Sequence, residues 1–345
     1  MTKQINVGSV PVGGGAPVSI QSMTNTRTDD VSATVEQIKR LQTAGCQIIR
    51  VAVPDLVAAR AVGAIREQIS IPLVVDIHFD YKLALECVAA GCDAVRINPG
   101  NIGGEDRVKA VAQACKAKGL PIRIGVNGGS LEKPLLAKYG GVTPEALVES
   151  AFGHIRLLEK YDFDDICVSL KSSSVPVTMA AYRLMSEKSN YPLHLGVTET
   201  GTVRMGTLKS AIGIGGLLAL GIGDTMRVSL SADPVEEVLA ARDILKAAGL
   251  RRDGPDLISC PTCGRTRIDL ISLASEVEER LKKVDKPITV AVMGCAVNGP
   301  GEASAADVGI AGGNGEGLLF RKGEIVKKVP QDCLVDELFA MIEQL

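Results

Sequence analysis

The stretch AGCQIIRVAVP (residues 44–54) recurs in similar form as AGCDAVRINPG (residues 90–100). Each copy reads as the end of a helix, a tight turn and the start of a β-strand. An arginine, Arg50 or Arg96, stands inside the apolar part of each strand. A repeated unit of this kind predicts a fold in which helices alternate with the strands of a parallel sheet.

The same alternation extends over residues 1–250. Eight short apolar runs follow one another, and helix-patterned segments such as DVSATVEQIKRLQTAG lie between them. The runs are VSIQSM (18–23), QIIRVAV (47–53), PLVVDIH (72–78), DAVRINP (93–99), PIRIGVN (121–127), DICVSL (165–170), PLHLGVT (192–198) and TMRVSL (225–230). Eight strand and helix pairs predict a parallel (β/α)8 TIM barrel.

A second domain is expected after the barrel. The chain has 345 residues, which exceeds the roughly 250 typical of a single α/β barrel. The cluster GLRRDGPD (residues 249–256) is rich in glycine, proline and charge, and we interpret it as a linker. We therefore predict a barrel domain at residues 1–250 and a smaller α/β domain at residues 257–345.

Composition excludes several classes of protein. The net charge of −2 gives no basic field for nucleic acid, and no apolar run approaches the roughly 20 residues that cross a bilayer. Nine cysteines in a chain whose start has no signal-peptide core favour reduced thiols in a cytoplasmic protein. Five of these thiols stand in apolar contexts typical of small core residues, namely Cys46, Cys87, Cys92, Cys115 and Cys167.

Five cations stand inside or directly after the predicted barrel strands, where an unpaired charge costs several kcal/mol. They are Arg50, Arg96, Arg123, Lys171 and Arg227. Each could be matched by an acid such as Asp76 or Glu199, but parallel strands deliver their carboxyl ends to one rim of a barrel. Asn98, Asn127 and Ser229 occupy similar strand positions. Because guanidinium groups suit phosphate oxygens, the pattern predicts a pocket for a small polyanion carrying more than one phosphate.

Other signals for this pocket are weaker. No glycine-rich run fits G-x-G-x-x-G, and no P-loop motif occurs. Of the three histidines, His154 is typical of an ordinary helix residue. His78, close to Asp76, and His194, in a strand run, are better placed for pocket chemistry, although a structural histidine is the more common outcome.

The predicted second domain carries two unusual motifs, SCPTCGRT and MGCAVNGPGEAS. The first supplies Cys260 and Cys263, and the second supplies Cys295 and, after a Gly-Pro-Gly segment, Glu302. Two cysteines on one tight turn and one on another loop can face a common centre.

Zinc and an iron–sulfur cluster are the two candidates for that centre. Structural zinc sites are almost always completed by a fourth cysteine or histidine. Residues 257–345 contain no histidine, and the other cysteine there, Cys333, belongs to the predicted final helix. Three thiolates and one carboxylate suit an iron–sulfur cluster with one differently ligated iron, so we favour that assignment over zinc.

These motifs form part of a wider resemblance. Together with SIQSMTNT, RINPGNIG, IRIGVNGGSLE, GIGDTMRVSL and ADVGIAGG, they resemble the 4-hydroxy-3-methylbut-2-enyl diphosphate synthase family of the non-mevalonate isoprenoid pathway. The resemblance covers essentially the whole chain, and the cysteine and Gly-Pro-Gly-Glu motifs are its most specific part. It corresponds to the short, two-domain form of the family.

The resemblance implies an activity and a ligand set. The activity is the two-electron reduction of 2-C-methyl-D-erythritol 2,4-cyclodiphosphate, with flavodoxin or ferredoxin as electron donor. The cofactor is a 4Fe-4S cluster held by Cys260, Cys263, Cys295 and Glu302. The residues that correspond to the diphosphate-binding set are Arg50, Arg96, Asn98, Arg123, Asn127, Lys171, Arg227 and Ser229.

Proton transfer and orientation need further residues. Loss of a hydroxyl group requires a proton, and Glu199, at the rim after the seventh strand, is the candidate donor. Asp76 and His78 are candidates for orienting the substrate. Glu302 counts as catalytic as well as a ligand, because a weakly held carboxylate can give way to the substrate.

A homodimer is expected from barrel geometry. The eighth helix must end at the face opposite the catalytic rim, so the linker begins there. Fully extended, its eight residues span at most about 26–29 Å, little more than the height of the barrel. We therefore expect the cluster domain of one subunit to cap the barrel of its partner, which gives a composite active site.

Two alternatives of other classes remain at this point. One is a zinc-dependent barrel enzyme that acts on a phosphorylated substrate. The other is a non-catalytic cluster carrier or redox sensor, which leaves the cations of the barrel unexplained.

Overall fold

The computed structural model describes residues 1–295, 301 and 303–345, with only the backbone at residues 99–100. The chain divides into two compact units, Met1–Leu250 and Arg251–Leu345. Within the described part, no helix is both long enough and apolar enough to span a bilayer.

The first unit is the predicted TIM barrel. All eight predicted runs form strands, which pair in parallel in the order β8-β7-β6-β5-β4-β3-β10-β9. A parallel bridge between Val168 and Leu193 joins β8 to the segment before β9, so the barrel is nearly closed. These strands are β3 (Ser19–Met23), β4 (Ile48–Ala52), β5 (Leu73–Asp76), β6 (Ala94–Ile97), β7 (Ile122–Asn127), β8 (Ile166–Lys171), β9 (His194–Leu195) and β10 (Thr225–Met226).

Helices follow each strand and cover the outside of the barrel. They are α1 (Val31–Ala44), α2 (Leu56–Arg66), α3 (Tyr81–Ala89), α4 (Pro99–Ile102), α5 (Glu105–Lys118), α6 (Lys133–Tyr139), α7 (Pro144–Glu159), α8 (Val175–Lys188), α9 (Val203–Ser210), α10 (Gly216–Ala219) and α11 (Pro234–Ala247). Capping side chains begin several of them, as where the Asp30 carboxylate accepts a hydrogen bond from the Ala33 N–H at the start of α1. The left-handed Gly45 ends that helix at the turn that the repeated motif predicts.

Side chains alternate along the barrel strands between the helices and the interior. In β4, Ile49 and Val51 belong to the apolar core that includes the helices, as do Val95 and Ile97 in β6. The residues between them point the other way, into the barrel, and include Arg50. The barrel interior is therefore strongly polar toward the carboxyl ends of the strands, whereas branched apolar residues usually fill such a barrel.

An amino-terminal hairpin closes one end of the barrel, and the sequence did not predict it. The hairpin consists of the antiparallel strands β1 (Ile5–Val7) and β2 (Val10–Val12). Its Ile5, Val7 and Val12 pack with residues near the amino ends of the barrel strands, which are Ile48, Val74, Ala94 and Cys167. The charged side chains of the barrel interior lie toward the carboxyl ends of the strands.

The second unit is a small α/β domain. Its sheet runs in the order β11 (Asp256–Ser259), β12 (Thr289–Met293), β13 (Val308–Gly312), β14 (Glu316–Arg321) and β15 (Glu324–Pro330). The first three strands are parallel, and the last two are antiparallel. Helices α12 (Leu270–Leu281) and α13 (Leu334–Glu343) contribute Val277 and Leu338 to its core, which also contains Val290 and Ile310.

All nine cysteines are free. The five predicted to be core residues are buried, whereas Cys260, Cys263 and Cys295 of the second unit are partly or fully exposed. Burial raises the pKa of Cys46 and of Cys115 to about 12, so these thiols stay protonated and unreactive at neutral pH.

Candidate functional site

Asp76 holds two of the predicted cations at the carboxyl end of the barrel. Its carboxylate is buried, Arg96 Nη1 donates to Oδ1 at 2.8 Å, and Arg50 Nε lies 3.5 Å from Oδ2. Burial alone would raise the pKa of Asp76, but the charges of Arg50 and Arg96 outweigh it and lower the pKa to about 2. Asp76 is therefore ionised at neutral pH and fixes both guanidinium groups.

A second acid, Glu237 of α11, pairs with Arg227 and was missed from the sequence. Arg227 Nε and Nη2 donate to its two carboxylate oxygens at 3.1–3.2 Å, and the Leu230 N–H donates to Oε1 at 3.0 Å. Glu237 is buried on the apolar face of α11 together with Ala241 and Ile244. An acid on the apolar face of a helix is the sequence signal that could have identified it.

Arg123 and Lys171 have no acidic partner in the described part of the chain. Arg123 Nη1 donates to the Gln21 side chain, while its buried Nη2 has no hydrogen-bond partner there. Burial lowers the pKa of Arg123 to about 10, so it remains charged at neutral pH. Burial also lowers the pKa of Lys171, and the nearby arginine charges lower it further.

The charges do not balance at this end of the barrel. Five cations face two carboxylates, Asp76 and Glu237, among the residues that the structure describes. The four arginines exceed these two carboxylates by two positive charges, four minus two, and a protonated Lys171 would add a third in this largely buried space. Such a space favours a ligand that carries several negative charges.

Two inward-facing glycines make room for these cations. A Cβ atom on Gly125 would lie 2.3 Å from Arg96 Nε, and a Cβ atom on Gly196 would lie 2.9 Å from Lys171 Cε. Any larger residue would displace the charged side chain. The two glycines therefore belong to the site, although the sequence analysis did not identify them.

The other predicted polar residues lie at the same strand ends. Asn98 is buried directly after β6. Asn127 and Lys171 end β7 and β8 and are register partners. Ser229 is partly buried beyond the end of β10, and its carbonyl oxygen accepts a hydrogen bond from the Thr200 hydroxyl. The fold thus brings the predicted diphosphate-binding residues to one end of the barrel.

The candidate proton donor and the histidines differ in their surroundings. Glu199 is exposed, and its backbone has a φ of +55°, which is unusual for a residue other than glycine. His78 is half exposed, with Nε2 3.6 Å from Asp76 Oδ1. His194 is fully buried, and neither ring nitrogen has a hydrogen-bond partner in the described part. His154 Nε2 lies 3.1 Å from Glu132 Oε1, as expected for a structural histidine.

The cysteine motifs of the second unit follow two adjacent parallel strands. Cys260 comes directly after β11, and Cys295 comes two residues after β12. The Gly294 N–H donates to Cys260 Sγ at 3.1 Å, so the two cysteine loops meet. Hydrogen bonds from the Arg265 backbone and side chain lower the pKa of the exposed Cys263 thiol. N–H donors to sulfur and a lowered pKa favour thiolates, the form that binds metal.

These residues fit a sulfur-ligated metal centre, but the full ligand set is not described. Glu302 lies outside the described residues. Among those that are described, no group of three or more histidine, cysteine, aspartate or glutamate side chains is arranged to hold a metal ion. The assignment of Cys260, Cys263, Cys295 and Glu302 as a ligand set stays a prediction.

Two family models match the chain. The GcpE TIM-barrel domain matches residues 2–242, and the GcpE protein C-terminal domain matches residues 256–344. Together they span both units of the structure.

Relatives named 4-hydroxy-3-methylbut-2-en-1-yl diphosphate synthase (flavodoxin) are similar over the full length of the chain. The protein from Clostridium perfringens is 62% identical over 344 residues, which is 100% of this chain and 99% of that relative. The protein from Geobacter sulfurreducens is 60% identical over 100% of this chain and 98% of that relative.

Among solved structures, dihydropteroate synthase from Stenotrophomonas maltophilia has a similar barrel. Its TM-score is 0.51 at 16% identity, and the match covers 71% of this chain and 97% of that one. At this identity the likeness shows the barrel fold alone.

Proposed function

The chain belongs to the GcpE family, and we propose that it reduces 2-C-methyl-D-erythritol 2,4-cyclodiphosphate to 4-hydroxy-3-methylbut-2-enyl diphosphate in non-mevalonate isoprenoid biosynthesis. The reaction consumes two electrons and two protons. A ring carbon–oxygen bond breaks, a hydroxyl group leaves as water, and a carbon–carbon double bond forms. The observation that carries the proposal is the surplus of positive charge at the carboxyl end of the barrel.

The cations act as the diphosphate clamp in this proposal. Arg50 and Arg96 are held in place by Asp76, and Arg227 is held by Glu237. The clamp as a whole consists of Arg50, Arg96, Asn98, Arg123, Asn127, Lys171, Arg227 and Ser229. When the ring opens, the departing phosphate oxygen gains negative charge, and donors already aimed at it stabilise that charge.

Glu199 is the proposed proton donor for the departing hydroxyl group. It is exposed in the loop that follows β9 and has no ion pair within the described residues. Its positive φ of +55° is a backbone conformation that costs energy for a residue other than glycine, as is common at functional sites. Asp76 and His78 are the proposed orienting residues. Asp76 remains ionised between Arg50 and Arg96, so it has no proton to donate.

The electrons require a cofactor, and we propose a 4Fe-4S cluster. Cys260, Cys263, Cys295 and Glu302 would hold it, and it would supply the two electrons one at a time. The Arg265 bonds to Cys263 stabilise a thiolate there, and the Gly294 N–H bond to Cys260 Sγ holds the two cysteine loops together. Flavodoxin is the proposed electron donor, in line with the names of the relatives.

We further propose a homodimer in the cytoplasm. The linker is short compared with the height of a barrel, so it would scarcely bring a cluster domain over the rim of its own barrel. The cluster domain of one subunit would then complete the barrel site of its partner. Mixing a Cys295→Ser chain with an Arg123→Ala chain under conditions of subunit exchange should restore activity that neither parent has. No recovery despite demonstrated exchange would contradict the shared site.

The central test is anaerobic purification followed by iron and acid-labile sulfide analysis and a turnover assay with reduced flavodoxin. We expect close to four irons and four sulfides per chain and conversion of the cyclic diphosphate. Cys260→Ser, Cys263→Ser and Cys295→Ser should each lose the cluster and turnover, because a hydroxyl replaces a thiolate. Bound zinc without sulfide would instead support the zinc alternative.

A further inference from the structure

Lys171 is a largely buried lysine without an acidic partner among the described residues. It ends β8, is 7% exposed, and makes no ion pair or side-chain hydrogen bond within the described residues. Its side chain runs past Gly196, where a Cβ atom would lie 3.0 Å from Lys171 Nζ. A buried ammonium group without an acceptor is costly, and the usual response of a lysine is to lose its proton.

The groups that face Lys171 increase this cost. Four arginines raise this cost through their charges. Three of them lie in barrel strands and one directly follows β10, namely Arg50, Arg123, Arg96 and Arg227. The nearby carboxylates are already engaged, Asp76 with Arg50 and Arg96, and Glu237 with Arg227. His194 of β9 is also buried here and is kept neutral by burial and by the same cations.

Lysine is the group in this cluster that can change its charge. Burial lowers the pKa of both Arg50 and Arg123, but guanidinium groups start from a far higher pKa than an ammonium group and keep their protons at neutral pH. Asp76 stays ionised, with a pKa of about 2. His194 begins β9, whereas Lys171 ends β8 beside Asn127, at the end of the strands where a ligand is expected.

We propose that Lys171 is neutral in the free protein and takes up one proton from solvent when the cyclic diphosphate binds, so that substrate binding is coupled to proton uptake. The inference rests on the proposed function. A bound diphosphate supplies the negative charge that the ammonium form lacks in the free protein. The uptake therefore belongs to binding and precedes any electron transfer.

The substrate does not exchange protons near neutral pH, so a measured proton uptake reports on the protein alone. A phosphate monoester changes its protonation near pH 6. In the cyclic diphosphate each phosphorus carries one ester oxygen, one bridging anhydride oxygen and a single strongly acidic group, so neither phosphate titrates near neutral pH. Any proton taken up on binding must come to the protein.

The experiment is isothermal titration calorimetry of the oxidised, cluster-containing protein with 2-C-methyl-D-erythritol 2,4-cyclodiphosphate and no electron donor. Titrations in Tris, HEPES and PIPES, at one neutral pH and one ionic strength, separate proton uptake from the intrinsic heat of binding. We expect an uptake that approaches one proton per site. We also expect affinity to fall by up to tenfold per pH unit as the pH rises between the pKa values of the free and bound states.

Substitutions of Lys171 and of the histidines identify the group that takes up the proton. Lys171→Arg, which is always charged, should bind with no proton uptake, and Lys171→Met should bind more weakly, also with no uptake. His194→Asn should keep the uptake of the unmodified protein. His78→Gln should bind more weakly, because His78 is a proposed orienting residue, but each bound substrate should still bring about one proton. Uptake that persists in both Lys171 variants, or that disappears only in a histidine variant, would overturn the proposal.

Two further outcomes separate the inference from the proposed function. Tight binding with a heat that does not depend on the buffer would overturn proton coupling and leave the proposed function standing. Absence of any binding would overturn the proposed function and this inference with it. Urea unfolding of each variant, followed by tyrosine fluorescence, shows that the barrel is intact.

Discussion

Replacement of Asp76 by asparagine should destabilise the barrel, because this carboxylate neutralises two buried arginines. Arg96 Nη1 and Arg50 Nε lie 2.8 and 3.5 Å from its oxygens. Its pKa falls from an ordinary value of 3.8 to about 2, and that difference corresponds to about 2 kcal/mol of folding free energy at neutral pH. Removing one partner of a buried pair costs about 3–5 kcal/mol. We therefore expect Asp76→Asn to lose about 2–5 kcal/mol.

Urea unfolding monitored by tyrosine fluorescence measures this loss. The chain has five tyrosines and no tryptophan, and all five tyrosines lie in the Met1–Leu250 unit, so the signal reports the barrel selectively. Asp162→Asn is the matched control, because Asp162 also forms an ion pair but has a side chain that is 94% exposed. The control should stay within about 0.5 kcal/mol of the parent.

The pH dependence provides a second measurement. The pKa of Asp76 is lowered in the folded state, so its contribution is fully present above the unfolded pKa and is lost as the pH falls through the folded value. The gap in stability between the parent and Asp76→Asn should therefore narrow as the pH falls from about 5 towards 3. A loss below about 1 kcal/mol at neutral pH, or a gap that does not change with pH, would refute the reasoning.

Three further predictions concern other parts of the site. Glu237→Gln should lower barrel stability by about 3–5 kcal/mol in the same unfolding assay, since Arg227 loses its buried partner, and a change below about 1 kcal/mol would contradict this. Gly125→Ala should displace Arg96 and weaken binding of the cyclic diphosphate by about 1.5 kcal/mol or more in calorimetry, whereas Gly129→Ala, with no atom within 4 Å of the new Cβ, should bind normally. Glu199→Gln should slow turnover by about 10²- to 10⁴-fold with unchanged affinity and iron content, and an unchanged rate would remove Glu199 as the proton donor.

The sequence by itself was sufficient to predict the architecture of the barrel. Each of the eight apolar runs became a strand, because a run of β-branched residues between helical segments is a local pattern that few folds can accommodate. The positions of Arg50, Arg96, Arg123 and Lys171 followed from the same pattern, since strands in a parallel barrel end at one rim. The amino-terminal hairpin was missed because its strands have three residues each, too few for a periodic signal.

Only the tertiary structure decided which buried cation pairs with which carboxylate. Arg50 and Arg96 share Asp76, Arg227 takes Glu237 from a helix, and Lys171 is left without an acid among the described residues. Gly125 and Gly196 were also unpredictable, because a missing Cβ atom matters only when a side chain from another strand fills its place. The reason is physical: hydrophobic periodicity is encoded locally, whereas the pairing of buried charges depends on distances between segments that the fold alone brings together.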